Sequence, residues 1–95
     1  MAAAARLGDL CTGHGCWAPR IGADASPNVY TNGRRAHRLS DPWRSHCCDS
    51  NCHASVVATG SRTVFINGRR ATRIGDRIAC GSLVAQGSNN VFIGG

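Results

Sequence analysis

Short β-branched runs, rather than long periodic segments, carry the apolar residues of this 95-residue chain. The runs at residues 56–58 (VVA), 63–66 (TVFI) and 90–93 (NVFI) are bounded by Gly, Ser and Asn, a pattern that predicts strands. Residues 35–39 and 70–74 alternate small or apolar with polar side chains, as half-buried strands do. Because no segment shows helical periodicity over about ten residues, the pattern predicts an all-β protein.

Asn-Gly pairs precede both alternating segments, at Asn32-Gly33 and Asn67-Gly68. Both central residues of a two-residue hairpin turn need positive φ, which Asn and Gly tolerate best, so each pair predicts a β-hairpin. Residues 24–27 (DASP) and 40–42 (SDP) contain turn-forming residues and are expected to break strands.

One phrase occurs three times along the chain. It reads ARLGD at 5–9, HRLSD at 37–41 and TRIGD at 72–76. A hairpin strand recurs as well, as NVY, TVF and NVF at 28–30, 63–65 and 90–92, and NGRRA at 32–36 recurs at 67–71, an offset of 35 residues. Self-similarity at a period of about 20–50 residues indicates that one structural unit was copied.

The copies are staggered with respect to the chain ends. The first repeated phrase lies at the N-terminus, whereas the third hairpin strand lies at the C-terminus. The two ends therefore resemble the halves of a single split unit. Pairing residues 5–9 with 91–95 would complete a three-fold set with units 29–41 and 64–76, and a closed β structure of this kind has no free edge.

Each copy places one soft metal ligand shortly after its Asp. These ligands follow the Asp by five, five and four residues and are His14, His46 and Cys80. Three such positions can converge on a common axis. Zinc prefers four N or S ligands, and a closed set of four is structural rather than catalytic. A metal that joins loops from the three copies would convert its binding energy into folding energy.

The charged residues are eleven Arg and five Asp, which give a net charge of +6. The Arg recur at repeat-equivalent positions, and no stacking aromatics lie among them. They are therefore expected to pair with carboxylates of the chain or of a partner rather than with nucleic acid. Residues 1–5 have no signal-peptide core, and no apolar run is long enough for a transmembrane helix. We expect synthesis in the cytoplasm without export by the general secretory route.

Six Cys in a cytoplasmic chain favour metal binding over disulfides. Cys11 is interpreted as a small buried hydrophobe. For Cys47, Cys48 and Cys52, simple burial, a disulfide formed after export and a second soft site all stay open. Cys16 receives no assignment.

The remaining notable residues favour structural roles. His37 aligns with Thr72 on a strand, which predicts a surface or packing residue. The Asp of each repeated phrase is expected to make a turn by accepting backbone N–H bonds rather than to act as an acid. Trp17 and Trp43 either pack round the metal loops, which we favour, or lie exposed as membrane-wetting residues.

Residues 3–15 (AAARLGDLCTGHG) resemble the PAAR-repeat proteins, a family named for a Pro-Ala-Ala-Arg motif. These proteins cap the membrane-puncturing spike of type VI secretion systems, contractile phage tails and related injection devices. Ala3 stands at the position of the motif's Pro, and Arg35 and Arg70 stand there in the later copies. The Asn-Gly turns and the ending NVFIGG at 90–95 are also similar to the family.

The resemblance implies a small β cone of short strands with pseudo-three-fold symmetry, formed by one domain over residues 1–95. Its base would sit on a trimeric, VgrG-type spike protein, one tip per trimer, and a metal site would lie near its tip. Zinc is expected before iron. Carried over to this chain, the ligands would be His14, His46, His53 and Cys80, with Cys52 or Cys48 as rivals to His53.

The expected function is that of a stand-alone, non-enzymatic tip that sharpens the spike for membrane puncture and effector delivery. It would be delivered out of the cell at the spike tip, with secreted effectors and the target membrane as further contacts. A small zinc-dependent nucleic-acid-binding domain is the second hypothesis, motivated by charge and Cys/His content. A metallo-hydrolase is the third, but it needs an activated water or paired carboxylates that no motif here supplies. Neither alternative needs three copies.

Overall fold

The computed structural model describes residues 1–94, and the regular elements of this range are eight short strands. The strands are β1 (Ala2–Ala3), β2 (Tyr30–Thr31), β3 (Arg34–Arg35), β4 (Pro42–Cys48), β5 (Asn51–Val56), β6 (Phe65–Ile66), β7 (Arg69–Arg70) and β8 (Phe92–Ile93). They form the antiparallel pairs β1–β8, β2–β3, β4–β5 and β6–β7. The all-β prediction is thus confirmed. Over the described range, no helix is long and apolar enough to cross a membrane.

Two of the pairs are the predicted Asn-Gly hairpins. Asn32 and Gly33 have φ of 55° and 77°, and Asn67 and Gly68 have 54° and 76°, which is the positive-φ pair that a two-residue turn of this kind requires. The third pair joins the chain ends, with Ala2 opposite Ile93 in register. The prediction that the two chain ends pair is therefore confirmed, but the N-terminal residues that pair are 2–3 rather than the predicted 5–9. The last residue of the predicted pairing lies outside the described range.

Backbone hydrogen bonds close the three copies into a ring. The N–H of His37 donates to the carbonyl of Ala5 (3.1 Å), the N–H of Thr72 to His37 (3.1 Å), and the N–H of Ala5 to Thr72 (3.0 Å). A second ring lies two residues further along each copy, with bonds from Leu7 to Arg35, from Leu39 to Arg70 and from Ile74 to Ala3. Each copy donates to the preceding copy in the first ring and to the following copy in the second, so the pseudo-three-fold closure leaves no free strand edge at this level of the described chain.

The repeated Asp holds the turn that follows each ring. Asp41 accepts the backbone N–H of Arg38 at 2.7 Å and both Nε and Nη2 of the same side chain at 2.9 Å. The same contacts join Arg6 to Asp9 and Arg73 to Asp76. The predicted turn role of these Asp residues and the pairing of Arg with carboxylates of the chain are both confirmed.

The core is built from equivalent positions of the three copies. Cys11, Trp43 and Ile78 are each no more than 1% exposed and pack with neighbouring small and apolar side chains. The buried-hydrophobe interpretation of Cys11 is confirmed. Trp43 belongs to this core rather than to the metal loops.

His37 packs inside the cone at 1% exposure, with its ring centroid 5.0 Å from that of Trp43. A Cβ on Gly22 would lie 3.0 Å from His37 Cε1, so a glycine there makes room for the imidazole. Burial lowers the pKa of His37 to about 4. Of the two roles predicted for His37, packing is confirmed.

The longest hairpin, β4–β5, was not predicted. Its first strand begins at Pro42, which we had interpreted as part of a breaker. A proline has no N–H to donate and is tolerated as the first residue of a strand. The turn contains Asp49 at φ 55°. The strand predicted at 56–58 is displaced, because Val56 ends β5 and Val57 makes only an isolated bridge.

Candidate metal centre

Three segments from different copies bring four soft side chains together. His46 on β4 and His53 on β5 are direct cross-strand partners. His14 lies in a tight loop in which its backbone and that of Trp17 exchange two hydrogen bonds, and Cys80 lies in the turn after Ile78. One ligand atom from each of His14, His46, His53 and Cys80 lies within 4.8 Å of all the others.

The three imidazoles meet through the same ring nitrogen. Nε2 of His53 lies 3.0 Å from Nε2 of His14 and 2.7 Å from Nε2 of His46. Three nitrogens and a sulfur with no carboxylate in the group are a donor set that suits zinc, which binds imidazole nitrogen at about 2.0–2.1 Å and thiolate sulfur at about 2.3 Å. The residues present therefore fit a four-coordinate metal.

The backbone carbonyl of Ala18 fixes the orientation of the His46 ring. Its Nδ1 lies 2.7 Å from the carbonyl of Ala18. A carbonyl only accepts, so the hydrogen sits on Nδ1 and the lone pair on Nε2 faces the cluster. Nη1 of Arg20 lies 3.2 Å from the same Nδ1, but two donors do not bond to each other, and we assign the bond to the carbonyl. Such partners commonly set the tautomer of a metal-binding His.

Cys80 is held as a thiolate. Burial, the largest single influence, favours the neutral thiol, but hydrogen bonds from the Ser82 backbone, Arg20 and the Ser82 hydroxyl outweigh it and lower the pKa of Cys80 to about 5. The thiolate is the form of cysteine that binds metals.

Arg20 was missed by the sequence analysis. It is 5% exposed, and its Nη2 lies 3.2 Å from Cys80 Sγ while its Nη1 lies 3.4 Å from Cys11 Sγ and 3.3 Å from Ser82 Oγ. The Arg20 side chain thus connects Cys11 to the loop that contains Cys80 and Ser82. Arg20 lies outside the three repeated phrases, and no local pattern distinguishes it from the other ten Arg residues.

Trp17 packs on the cluster as expected. Its ring stacks on His14 at a centroid distance of 4.9 Å and an angle of 24°, and it lies 5.1 Å from the ring of His53. Its Nε1 donates to the carbonyl of Asn51 at 3.0 Å. The indole therefore covers two of the candidate ligands and connects the loop of His14 to the start of β5.

Four of the six cysteines are paired in disulfides, so the expectation of metal binding before disulfides is wrong for these four. Cys16 bonds to Cys48 with a Cα–Cα distance of 5.4 Å, and Cys47 bonds to Cys52 at 4.1 Å. Neighbouring residues of a strand point to opposite faces, so Cys47 bonds to its cross-strand partner Cys52 while Cys48 bonds to Cys16 near His14. Cys48 and Cys52, the alternatives to His53 as a metal ligand, both form disulfide bonds.

Three pseudo-equivalent strand pairs, two backbone rings and a convergent His/Cys cluster define a small closed β domain with a candidate structural metal centre. The chain belongs to the PAAR-motif family, because the family's PAAR motif matches residues 19–86. The match includes His46, His53 and Cys80, and His14 precedes it. The resemblance seen in the sequence is confirmed.

A named relative is the NAD(+)–protein-arginine ADP-ribosyltransferase Tre1 of Serratia proteamaculans (strain 568), which is 46% identical over 83 residues. The alignment covers 83% of this chain but 18% of the relative. The chain thus spans less than a fifth of the length of this protein.

Proposed function

We propose that this protein is a non-enzymatic spike tip that caps a trimeric, VgrG-type spike of a type VI secretion system or related contractile tail. The observation that carries the proposal is a set of apolar side chains exposed at the same two positions in all three copies. We call this set the base, and it consists of Val29, Tyr30, Val64, Phe65, Val91 and Phe92.

Exposure at the base is almost equal in the three copies. The valines are 37%, 36% and 39% exposed, and the aromatic residues that follow are 59%, 54% and 51% exposed. Large apolar residues exposed together mark contact surfaces in soluble proteins, and aromatic residues are enriched there. Three matching patches on one chain suit three identical subunits of a trimer, because each subunit can then make the same contact.

The shape of the molecule agrees with this use. Its extents are 38 × 23 × 22 Å, so the two short axes are nearly equal, as a pseudo-three-fold object on a three-fold support requires. A single chain with three copies can continue the axis of a trimer and end in one point.

The metal would be zinc, with iron as the alternative, held by His14, His46, His53 and Cys80. A bound zinc would supply a closed structural link between loops of all three copies rather than an open catalytic position. The residues of the chain prepare this link: Ala18 orients His46, Arg20 and Ser82 keep Cys80 ionised, and Trp17 covers two rings. Rigidity of this end is the property that puncture of an envelope needs.

The proposed unit is a single tip domain over residues 1–95 that is carried out of the cell with the spike. The ADP-ribosyltransferase activity in the relative's name belongs to that longer protein and is not part of this proposal. A nucleic-acid-binding domain is the rival, but six Arg side chains form ion pairs with Asp of the chain itself, which reduces the charge free for phosphates.

Native mass spectrometry of the chain mixed with a trimeric spike protein tests the proposal. The expected stoichiometry is one chain to one trimer at moderate salt, where weak charge contacts are screened. The triple variant Tyr30→Ser, Phe65→Ser, Phe92→Ser should lose the complex.

The matched control places serine at two exposed apolar residues outside the base, Ile74 and Leu83, which are 40% and 43% exposed. This double variant should keep the complex. A three-to-three assembly, equal loss in the control, or DNA affinity that survives the same salt would contradict the proposal.

A further inference from the structure

Numbered by their hairpin strands, copy one contains residues 24–41, copy two residues 59–76, and copy three residues 86–94 with 1–9. One flank of copy two contains a pocket of about 680 Å³. Its charged lining residues are Arg62, Arg70 and Arg73, and small or apolar residues such as Leu39 and Ala58 form other parts of the wall. Arg73 is neutralised by its own Asp76. The other two guanidinium groups make the pocket strongly positive.

The equivalent place in copy one is already filled by a carboxylate. Arg35, the counterpart of Arg70, donates from Nη2 to Asp24 Oδ1 at 2.6 Å and to the carbonyl of Ala25 at 2.9 Å, and its Nε donates to the carbonyl of Ser26 at 2.8 Å. The counterpart of Arg62 in that copy is Pro27. Copy one therefore shows what this position binds when it is satisfied, namely an aspartate side chain.

Copy two lacks that carboxylate and has an additional positive charge, Arg62. Thr59 stands at the position of Asp24, and its hydroxyl is engaged elsewhere, donating to Asp76 at 3.0 Å and accepting from the N–H of Arg77 at 2.8 Å. Within residues 1–94, no carboxylate forms an ion pair with Arg62 or Arg70.

Copy three carries no comparable charge. Its residues at the positions of Arg62 and Arg70 are Asn89 and Ala3. The excess of positive charge is thus confined to one of three otherwise equivalent flanks, so a strictly three-fold partner does not account for it.

We propose that this pocket, between Arg62 and Arg70, binds the carboxylate of an acidic segment from a single, non-symmetric polypeptide partner. The class of ligand follows from copy one, where the chain supplies the same group to itself. A guanidinium donates two parallel N–H bonds that match the two oxygens of a carboxylate. The inference does not depend on spike capping, because the pocket is specific to copy two and the base is common to all three.

Phe65 of the base is the cross-strand partner of Arg70. A polypeptide bound in the pocket would therefore emerge beside the base rather than at the metal centre. Such a segment can add a partner to one side of the tip without displacing contacts on the other two sides.

Nuclear magnetic resonance of the 10.0 kDa chain tests the proposal. The probe is an end-blocked tetraglutamate peptide, with an end-blocked tetraglutamine peptide as the neutral control and inorganic phosphate as the competing anion. Tetraglutamate should cause saturable shifts at the Nε–H signals of Arg62 and Arg70, whereas Arg35, already paired with Asp24, should not respond.

The variant Arg62→Asn, Arg70→Ala gives copy two the residues of copy three and removes neither a core nor a metal-binding side chain. It should weaken tetraglutamate binding about tenfold, because it removes both exposed guanidinium groups that would pair with the peptide. The matched control Arg44→Asn, which removes an exposed Arg outside the pocket, should change affinity less than about twofold. Equal weakening in both variants would show non-specific attraction and overturn the proposal. Saturation by phosphate but not by tetraglutamate would overturn the assignment to an acidic polypeptide.

Discussion

The ring layer and the metal end of this molecule are stabilised by different kinds of contact. The ring layer consists of residues 3–9, 35–41 and 70–76, and the metal end consists of β4, β5 and the loops of His14 and Cys80. In the ring layer each copy makes the same contacts, with backbone bonds of 2.7–3.1 Å and an Arg–Asp pair in every turn. In the metal end no two copies are alike.

The difference follows from what each region must hold together. A ring of three strands satisfies its own backbone groups, so three similar sequences suffice. At the metal end the copies contribute a loop, a seven-residue strand and a tight turn, which share few backbone bonds. Two disulfides and a convergent His/Cys cluster connect them instead. Equivalent hydrogen bonds and ion pairs stabilise the ring layer, whereas the disulfides and the His/Cys cluster connect the parts of the metal end.

Loss of a candidate ligand should be the largest perturbation. His46→Ala is expected to lower stability by several kcal/mol, since structural zinc contributes on the order of 10 kcal/mol in small domains. Its melting temperature should also stop responding to a chelator. His37→Thr, which uses the residue of copy two, should keep the chelator response in thermal melts. Identical chelator responses of His46→Ala and the unchanged protein would remove His46 from the site.

Loss of one buried Asp tests the ring layer. Asp41→Ala leaves the 9%-exposed side chain of Arg38 without its partner and should cost about 3–5 kcal/mol in urea unfolding. Asp9→Ala and Asp76→Ala should cost amounts similar to each other and to Asp41→Ala, because each carboxylate accepts the same three bonds from the Arg three residues before it. The more exposed ion pair between Arg35 and Asp24 provides the control. Asp24→Ala should cost at most about 1 kcal/mol. A cost confined to one of the three buried positions would contradict the symmetric account.

The two disulfides should differ in effect because they close loops of different length. In the chain-entropy picture, Cys16→Ala with Cys48→Ala, which opens a separation of 32 residues, should cost about 4 kcal/mol. Cys47→Ala with Cys52→Ala, a separation of 5 residues, should cost about 2 kcal/mol. Denaturation with and without a reductant measures both. If the reductant leaves the stability of the unchanged protein as it was, the cross-links do not stabilise the metal end.

His37 should make the ring layer sensitive to acid. Its pKa falls from 6.5 to about 4 in the folded chain, so below pH 6.5 the unfolded chain binds a proton that the folded chain does not. Stability should therefore fall as the pH drops from 6.5 to about 4, by roughly 3 kcal/mol in all, with no further loss below that range. In urea unfolding, the difference in stability between the unchanged protein and His37→Thr isolates this effect, because the other His residues are common to both. Parallel pH profiles would contradict it.

The ring layer could be predicted from the sequence, and much of the metal end could not. Repeated phrases fix equivalent positions, so the hairpins, the joined termini and the Asp turns follow from local rules. The predicted strands at 63–66 and 90–93 are shorter in the structure, at two residues each, because the N–H groups of Val64 and Val91 donate to the hydroxyls of Ser61 and Ser88 rather than to a partner strand. His37 and Gly22 depend on each other across the fold, which no local pattern reveals.

At the metal end, the spacing of His14, His46 and Cys80 after each Asp did indicate convergence. The β4–β5 hairpin was missed because His, Cys and Ser replace the β-branched residues that signal strands. The pairing of cysteines depends on which strand face each one occupies, and connectivity of this kind does not follow from spacing alone. Arg20 enters the centre from outside the repeats.

The most direct test of the central claim is the metal content and coordination of protein purified without added metal. We predict about one zinc per chain by elemental analysis, and an X-ray absorption spectrum with three nitrogen donors and one sulfur, the set His14, His46, His53 and Cys80. A fully folded, metal-free preparation, or a site with two or more sulfur donors, would contradict the account.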